Sequence, residues 1–509
     1  MIQPQQRVNR GRKAATKSSP APVKGWNARD SLAAMEPQCA VKLENWFPRP
    51  SECIARYGSQ DWATGFASPV NTVMAYNGVT SKKLFAASGA NIYDITASGA
   101  IGAAAVTGLT ESKLQYVQYS TPGGFFLFWV NGSDAPQYFD GSAWTTPTIT
   151  GVTASNLIHV NIFKTRLFFI EKNTLNAWYL ASGSIAGAAS KLDFGSVFRR
   201  GGHLVSMGTW SLDAGYGLDD YAAWITSEGE VAVYRGTDPS SSSTWGLIGV
   251  YQIGTPMGNR CFAKSGGDLL LITKDGLQTL SNALNSSRVN TKSNLTDIIQ
   301  WAISSATSNY ANNFGWQIQL YPPENMLILN VPVANKLQEQ YVMNTVTGAW
   351  CKFTGWPAYC WELFNDIIYY GSDTTVVRAW YGYSDNGAVI RTDGMAAFDY
   401  FGGDAQLKQF KMVRPVLQTN GGPSLQLGIN TNLSQLGTLT AIGTAPSIYG
   451  LWDAALWDVG LWGGDQIIDS WRTITGIGYS AAVRIASSTI DCDLHWLATD
   501  FVFERGGVI

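Results

Sequence analysis

Histidine, cysteine and charged residues are scarce in this chain of 509 residues. The sequence has 3 His, 6 Cys and 14% charged residues, whereas an average soluble domain has about 25% charged residues. A zinc site built from three imidazoles would need His159, His203 and His495 together, which are all the histidines of the chain, and no two cysteines form a CxxC pair. The sequence therefore predicts no metal site and no cofactor.

Membrane-spanning and secretory segments are also missing from the sequence. It has no run of 18 or more apolar residues, and the nearest candidate, residues 125–130, is short and flanked by glycine. Without a secretory signal, the six cysteines are expected to be reduced thiols rather than disulfides. We expect synthesis in the cytoplasm and no membrane insertion by this chain.

The common motifs of nucleotide-binding and hydrolytic enzymes are absent too. The sequence contains no GxxxxGK[ST] loop and no HExxH, and residues 478–482 fail the GxSxG pattern at the last position. Residues 211–218 (SLDAGYGL) resemble the Asp-box turn SxDxGxxW of sialidase-type propellers, once and without the closing aromatic residue. Candidate acids for a glycosidase pair are Asp219, Asp220, Glu228 and Glu230. Such neighbours are expected by chance, so we predict that the protein is not an enzyme.

Glycine and aromatic residues are abundant instead. The chain has 53 Gly, 20 Trp, 22 Tyr and 21 Phe. Aromatic side chains suit the pleated surface of a sheet, and glycine supplies the positive φ angles of tight turns. The composition predicts an all-β protein.

Pairs of short strands recur along residues 67–398. The hairpin ends at Tyr93, Tyr138, Tyr179, Tyr234 and Leu280 are 45, 41, 55 and 46 residues apart. A period of about 40–50 residues with paired strands is typical of propeller blades, each a four-stranded sheet. The spacing predicts a β-propeller of six to eight blades. Within it, Asn294 as N-cap and an apolar stripe at residues 295–303 predict one helix.

Residues 399–509 predict a small β-sandwich or barrel, because apolar and polar residues alternate and Asn420-Gly421-Gly422 marks a hairpin turn. A five-residue repeat in this region contains Trp452, Trp457 and Trp462. These rings either stack as a plug within a loop or form an exposed patch that anchors a partner.

Residues 1–24 form a basic segment without acidic residues. Its positive charges are Arg7, Arg10, Arg12, Lys13, Lys17 and Lys24. Without these six charges, the formal net charge of the chain falls from −2 to −8. The segment cannot build a core, so it is either a solvated tail or an arm that docks on an anionic partner or a neighbouring subunit. The acidic remainder would bind DNA poorly but would suit a conduit for DNA.

The segments that flank the predicted propeller carry a family resemblance. Residues 25–32 (GWNARDSL), 40–50 (AVKLENWFPRP) and 56–58 (RYG) resemble the opening of tail hub or nozzle proteins of short-tailed bacteriophages, where a GWN-x-RD segment precedes an NWFP segment and a propeller. Residues 496–507 are similar to the ending of the same family. Between these segments the resemblance rests on the repeat spacing alone.

This resemblance implies a structural virion protein of the phage tail. Nozzle proteins assemble as six copies below the portal and its adaptor ring, extend the tail channel for double-stranded DNA, help to retain packaged DNA, and hold tail fibres or spikes. Together with the composition and strand pattern, it gives a predicted division into an arm (1–24), a strap (25–66), a propeller (67–398) and a C-terminal β domain (399–509).

We expect the arm and strap to contact a neighbouring subunit or the adaptor. The strap residues predicted for this interface are Trp26, Arg29, Trp46, Phe47 and Arg56. Plain core packing of Trp26, Trp46 and Phe47 remains the alternative. For the whole chain, the alternative function is a propeller-based adhesin or a glycan-acting tail component, which the aromatic content and the Asp-box-like turn suggest.

Overall fold

The computed structural model describes residues 14–213, 218–286, 292, 294–443 and 466–508. The chain divides into two compact units. The first contains the residues up to Gly58, Thr347–Lys352, and the residues from Gly382 onward, and the second contains Ser59–Val346 and Phe353–Tyr381. Both are built almost entirely from strands, so the all-β prediction is confirmed.

The strands before the second unit are β1 (Ala14–Pro20), β2 (Gly25–Trp26), β3 (Cys39–Glu44), β4 (Trp46–Pro48) and β5 (Cys53–Ala55). The second unit begins with β6 (Ser59–Thr64), β7 (Val70–Asn77), β8 (Lys82–Ser88), β9 (Asn91–Asp94), β10 (Gly99–Ala100), β11 (Val106–Thr107), β12 (Gln115–Thr121), β13 (Gly124–Val130), β14 (Gln137–Phe139), β15 (Trp144–Thr145) and β16 (Ile149–Thr150). It continues with β17 (Leu157–Phe163), β18 (Arg166–Glu171), β19 (Asn176–Tyr179), β20 (Gly187–Ala188), β21 (Ser190–Asp193), β22 (Leu204–Asp213), β23 (Leu218–Thr226), β24 (Glu230–Gly236) and β25 (Trp245–Gln252).

The next elements are β26 (Phe262–Ser265), β27 (Asp268–Thr273), β28 (Gly276–Thr279), α1 (Leu280–Ser286), α2 (Gln300–Tyr310), β29 (Gln317–Tyr321), β30 (Met326–Ala334) and β31 (Leu337–Asn344). They are followed by β32 (Trp350–Phe353), β33 (Cys360–Phe364), β34 (Ile367–Gly371) and β35 (Thr375–Ala379). The last strands are β36 (Ile390–Ala396), β37 (Gln406–Thr419), β38 (Ser424–Thr431), β39 (Thr440–Ile442), β40 (Gln466–Ile468), β41 (Arg472–Gly478), β42 (Ala481–Thr489) and β43 (His495–Val508).

The second unit is a β-propeller. Its described residues form successive small antiparallel sheets that begin with β7, β12, β17, β22, β26, β29 and β33. Each of these first strands packs against the first strand of the following sheet, and β33 packs back against β7, which closes the ring. The predicted propeller architecture is confirmed.

A strand from the start of the unit completes the last sheet of the ring. β6 pairs antiparallel with β35, from Thr64 opposite Thr375 to Ser59 opposite Ala379. Residues that precede the first sheet therefore form the fourth strand of the final one, and β10 pairs with β6 on its other side. The observed boundary of the propeller unit is residue 59, whereas the sequence placed it at residue 67.

The inner strands of the propeller are apolar on both faces, because each sheet packs between two others. In β13, Leu127 and Trp129 pack toward Phe85 of the first sheet, while Phe128 and Val130 pack toward the third sheet. Successive side chains of a strand point to opposite faces, so one continuous apolar run fills two layers of the core. This packing explains the glycine-bounded aromatic run that recurs in the sequence.

The predicted helix is present, but it starts later than expected. A single 3₁₀ turn at Asp297–Ile299 leads into α2, whose Ile303 is buried. The N-cap positions of the 3₁₀ turn and of α2 are Thr296 and Ile299, and Asn294 instead donates from Nδ2 to the carbonyl oxygen of Asp275. The apolar stripe therefore located the helix, whereas the proposed N-cap was wrong.

The first unit is a β-sandwich to which both ends of the chain contribute. One sheet has the order β4-β5-β43-β37-β40, with β1 beside β43 and β41 beside β37. The other has the order β2-β3-β36-β42-β38-β39, and Trp350 and Lys352 of β32 pair with β2 and β3. The predicted sandwich is confirmed, and strands from the predicted arm and strap belong to it.

All six cysteines of the chain are free and buried, as predicted. Burial raises the pKa of the Cys261 thiol to about 11, and the pKa of the other five is raised as well, chiefly by burial. Because the thiolate is the reactive form, these cysteines are inert core residues.

Candidate functional site

Part of the predicted basic arm is a strand of the sandwich in the first unit. β1 pairs antiparallel with β43, from Ala14 opposite Glu504 to Pro20 opposite Ala498. Lys17 forms an ion pair with Asp399, and its Nζ lies 5.3 Å from the ring centroid of Phe401. Lys17 thus has partners within its own chain, and its contact with a neighbouring subunit stays a prediction. The other predicted arm residues, Arg7, Arg10, Arg12 and Lys13, lie outside the described residues.

The GWN-x-RD segment folds into a tight asparagine-centred turn. The buried Asn27 accepts hydrogen bonds at Oδ1 from the backbone N–H groups of Arg29 and Asp30, and its Nδ2 donates to the Asp30 carboxylate. Arg29 pairs with the same carboxylate, and these hydrogen bonds lower the pKa of Asp30. Trp26 is half-buried and pairs in the sheet with Ala40. The motif residues therefore hold a backbone turn in place.

The NWFP segment contributes core residues of the sandwich. Trp46 and Phe47 are 0% and 1% exposed. The Trp46 ring meets the Trp496 ring edge to face, with centroids 5.8 Å apart. The prediction that Trp46 and Phe47 anchor a strap on a neighbouring subunit is wrong, and the alternative of core packing is correct. Large aromatic side chains gain the most free energy when they are buried away from water.

Arg56 is likewise an internal residue of the first unit. Its guanidinium makes two hydrogen bonds with the Asp385 carboxylate, and its Nε donates to Asn45 Oδ1 at 3.0 Å. The side chain of Arg56 is 1% exposed. The predicted interface role of Arg56 is therefore wrong as well, because a carboxylate of the same chain accepts hydrogen bonds from both Nη atoms of its guanidinium.

The remaining predicted residues either lie outside the residues that the structure describes or have structural contacts. Trp452, Trp457 and Trp462 lie outside the described residues, as does the centre of the Asp-box-like turn (214–217). Asp220 pairs with Lys164 and accepts a hydrogen bond from Ser211, and both contacts lower its pKa. Glu230 is buried and accepts the backbone N–H groups of residues 199 and 200.

The described residues contain no group of His, Cys, Asp and Glu side chains that could hold a metal ion. Among those same residues, no helix is long and apolar enough to cross a membrane.

The polar centre of the propeller was not predicted from the sequence. Arg260, which directly precedes β26, places its Nη2 2.7 Å from Thr72 Oγ1 and 3.1 Å from each of the carbonyl oxygens of Asn71 and Leu114. Its Nη1 lies 3.5 Å from Oε1 of Gln317. One side chain thus joins loops and strands of the first, second, fifth and sixth sheets.

Arg260 has no carboxylate partner among the described residues, and burial lowers its pKa. A buried guanidinium without a counter-charge is costly unless hydrogen bonds or a ligand satisfy it. The four acceptor atoms named above satisfy part of the hydrogen-bonding capacity of the Arg260 guanidinium.

A second polar contact crosses the propeller between first strands. The hydroxyl of Tyr116 on β12 donates to Oε2 of Glu362 on β33. Burial raises the pKa of Glu362 to about 8. This acid is therefore largely protonated at neutral pH, which is how a carboxyl group tolerates a site without a cation.

Two neighbouring cavities open beside Arg260. The first has a volume of about 210 Å³, the second about 430 Å³, and both are lined by Lys113 and Phe314. Lys113 Nζ and Arg260 Cζ lie 5.0 Å and 5.5 Å from the ring centroid of Phe314. No local motif indicates this arrangement, because its residues come from distant parts of the sequence.

Comparisons with known proteins give structural similarity only. No model of a protein family matches the chain, and no curated protein does. The solved structures to which it is similar include BBS1N in complex with ARL6DN (TM-score 0.40, 9% identity, 64% of this chain and 96% of that one). A second is the computationally designed Ika8 protein (TM-score 0.36, 9% identity, 63% of this chain and 99% of that one). A third is an exo-beta-1,3-galactanase from Phanerochaete chrysosporium with galactose (TM-score 0.29, 10% identity, 75% of this chain and 95% of that one). Similarity at this level does not indicate what the chain binds or does.

Proposed function

We propose that the chain is a structural, non-catalytic protein of a bacteriophage tail, a nozzle or hub that assembles as a six-membered ring below the portal and adaptor. In this role it extends the channel for double-stranded DNA, helps to retain packaged DNA, and holds fibres or spikes. One observation carries the proposal beyond the sequence motifs. The two segments that resemble the nozzle family are partners in one sandwich, where Trp46 packs on Trp496.

The junction between these segments is supported by backbone contacts as well as by side chains. His495 and Trp496 of β43 pair with Ile54 and Cys53 of β5, which follows the NWFP segment. Paired segments from the two ends of a chain constrain each other's sequence, because a change in one leaves the other with an unfilled core or an unpaired edge. Their joint occurrence therefore supports the resemblance as that of one folded module.

The centre of the propeller is not open in the region that Arg260 occupies, since its side chain joins residues of several sheets there. A DNA channel would accordingly be enclosed by several copies of the chain. A heterologous interface between identical subunits closes into a ring when its rotation divides the circle evenly.

The test is electron microscopy of the chain produced together with the portal and adaptor proteins of its phage, with the particles classified by symmetry. A six-fold ring attached to the adaptor, with an axial channel of about 20 Å or a constriction that closes it, is the expected result. Monomers or trimers that do not bind the adaptor would overturn the proposal. The adaptor ring without this chain is the matched control, because it shows which density the chain adds.

A further inference from the structure

The paired cavities beside Arg260 have an unbalanced charge. Lys113 and Arg260 both line the smaller cavity, and none of the described residues that line either cavity is acidic. Glu111 lies 3.6 Å from the Lys113 ammonium, but it is not part of the lining. Two cations in a partly desolvated recess favour an anionic ligand, since the attraction between charges grows as water is excluded.

The donors that remain available suit a small anion with a single charge. The three acceptors within 3.1 Å are at Nη2 of Arg260, whereas its Nη1 makes only a long contact of 3.5 Å with Gln317 Oε1. Lys113 is 43% exposed in its side chain and retains donors beyond its contact with Glu111. A carboxylate placed between one ammonium and one guanidinium edge would satisfy these groups.

The larger cavity offers uncharged hydrogen-bonding groups. The side chains of Asn71, Asn312, Asn335, Gln338 and Tyr359 are part of its lining. Gln338 is 2% exposed, and its side-chain Oε1 has no hydrogen-bond partner among the described residues. A buried polar atom without a partner is costly, so this atom points to a missing ligand group. A hydroxyl fits it because it can donate or accept.

Apolar surface completes the lining. Pro69 and Pro332 belong to the larger cavity, and the ring of Phe314 belongs to both. Amide groups beside apolar patches suit a ligand with hydroxyls on its edges and C–H groups on its faces. The two cavities share Lys113 and Phe314, so one ligand can reach the cations and the amides together.

We propose that these cavities form a binding site for a carboxylated sugar, namely a hexuronate residue of an acidic polysaccharide. Lys113 and Arg260 bind the carboxylate, and the amide-lined cavity binds the hydroxyls, with Gln338 Oε1 accepting one of them. This site is independent of the proposed ring, because it lies entirely within the propeller of one chain.

The experiment is isothermal titration calorimetry of the full chain with trigalacturonate as the probe. Maltotriose is the neutral sugar control, and sodium acetate and inorganic phosphate are the anion controls. Trigalacturonate is expected to bind at least tenfold more tightly than any of the three, with an affinity that falls as salt is added. Equal binding of acetate or phosphate, or no binding of trigalacturonate, would overturn the proposal.

Two variants test the assigned groups. Lys113→Gln keeps a polar side chain, one atom shorter, but removes the charge, and is expected to weaken trigalacturonate binding about tenfold. Lys82→Gln, at an exposed lysine of β8, is the matched control and should leave affinity unchanged.

Gln338→Leu replaces the amide, with its unpartnered oxygen, by an apolar side chain of similar size. It should weaken trigalacturonate binding several-fold without lowering the thermal midpoint, because the replaced atom has no partner in the free protein. Unchanged affinity in both Lys113→Gln and Gln338→Leu would refute the assignment even if the wild type binds.

Discussion

The ring of Trp46 stands edge to face against the ring of Trp496, with centroids 5.8 Å apart and planes inclined by 62°. Both residues are 0% exposed. Gly394 of β36 lies against this pair: a Cβ atom there would be 2.9 Å from Cζ3 of Trp496 and 3.0 Å from Cδ1 of Trp46. The two sheets of the sandwich therefore approach each other at a point where one strand has no side chain.

Gly394→Ala is expected to destabilise the sandwich by about 1–3 kcal/mol, because the added methyl group overpacks a rigid aromatic pair. Urea denaturation followed by tryptophan fluorescence measures the effect. Gly102→Ala is the control: a Cβ there would have no neighbour within 4 Å, so stability should be unchanged or slightly higher. Equal midpoints for both variants would show that the aromatic pair relaxes freely.

Asp385→Ala is expected to cost about 3 kcal/mol, because it leaves the buried guanidinium of Arg56 without its carboxylate. The unfolding midpoint in urea is the measurement. The control is Glu36→Ala, which removes the exposed partner of Lys24 and should change stability by less than about 0.5 kcal/mol. A loss below about 1 kcal/mol for Asp385→Ala would mean that water replaces the carboxylate.

The sequence allowed the architecture to be predicted where the signal is local. A blade is formed by neighbouring strands, so its spacing is visible in a single repeat of about 40–50 residues. Helix α2 was found from its apolar stripe, although Asn294 was assigned the wrong role, because a capping residue and a residue that bonds to a nearby loop look alike in sequence.

The candidate sites were much less predictable. Trp46 and Phe47 are equally suited to an interface and to a core, and only the fold decides between the two. Arg260, Lys113 and Gln338 carry no motif, since closure of the ring brings them together from different sheets. The positions of Trp452, Trp457 and Trp462 remain predictions.

The first unit is expected to lose stability as pH rises, through the titration of His495. Hydrogen bonds to Asp493 and Glu52 raise the pKa of His495 above its usual 6.5. A group whose pKa is higher in the folded state contributes its full stabilisation below its unfolded pKa and loses it as pH passes the folded value. Thermal midpoints between pH 6 and 9 should therefore fall less in His495→Gln than in the wild type. Parallel pH profiles would contradict this role of the ion pairs.

Glu362→Gln is expected to stabilise the propeller at alkaline pH. The folded pKa of about 8 exceeds the ordinary glutamate value of 4.5, so ionisation of Glu362 weakens the fold as pH rises between these values and reaches its full cost above pH 8. At pH 9 the variant should be more stable than the wild type by about 1–3 kcal/mol, and near pH 4 the two should be alike. Glu228→Gln, at an exposed acid, is the control and should be neutral at both pH values.

Two N-terminal deletions separate the stability of the sandwich from assembly. Removal of residues 1–20 takes away β1 and leaves the edge of β43 unpaired, so the midpoint of unfolding should fall and aggregation should increase. Removal of residues 1–13 keeps β1 and should leave the midpoint unchanged.

Under the proposed tail function, the shorter deletion also removes most of the basic arm and should reduce the number of assembled, DNA-filled particles seen by electron microscopy. Normal assembly and DNA retention in that deletion would show that the arm docks on nothing essential.

The pairing of β6 with β35 sets an order of events during translation. β6 leaves the ribosome before every other strand of the propeller, yet the strand it pairs with emerges near the end of that unit. The sandwich is completed later still, because β1 and β5 both pair with β43, the last strand of the chain to be synthesised. Chains interrupted before residue 375 would carry unpaired strands from both units, and exposed strand edges promote aggregation. A premature stop codon should therefore yield insoluble fragments rather than a shortened working protein.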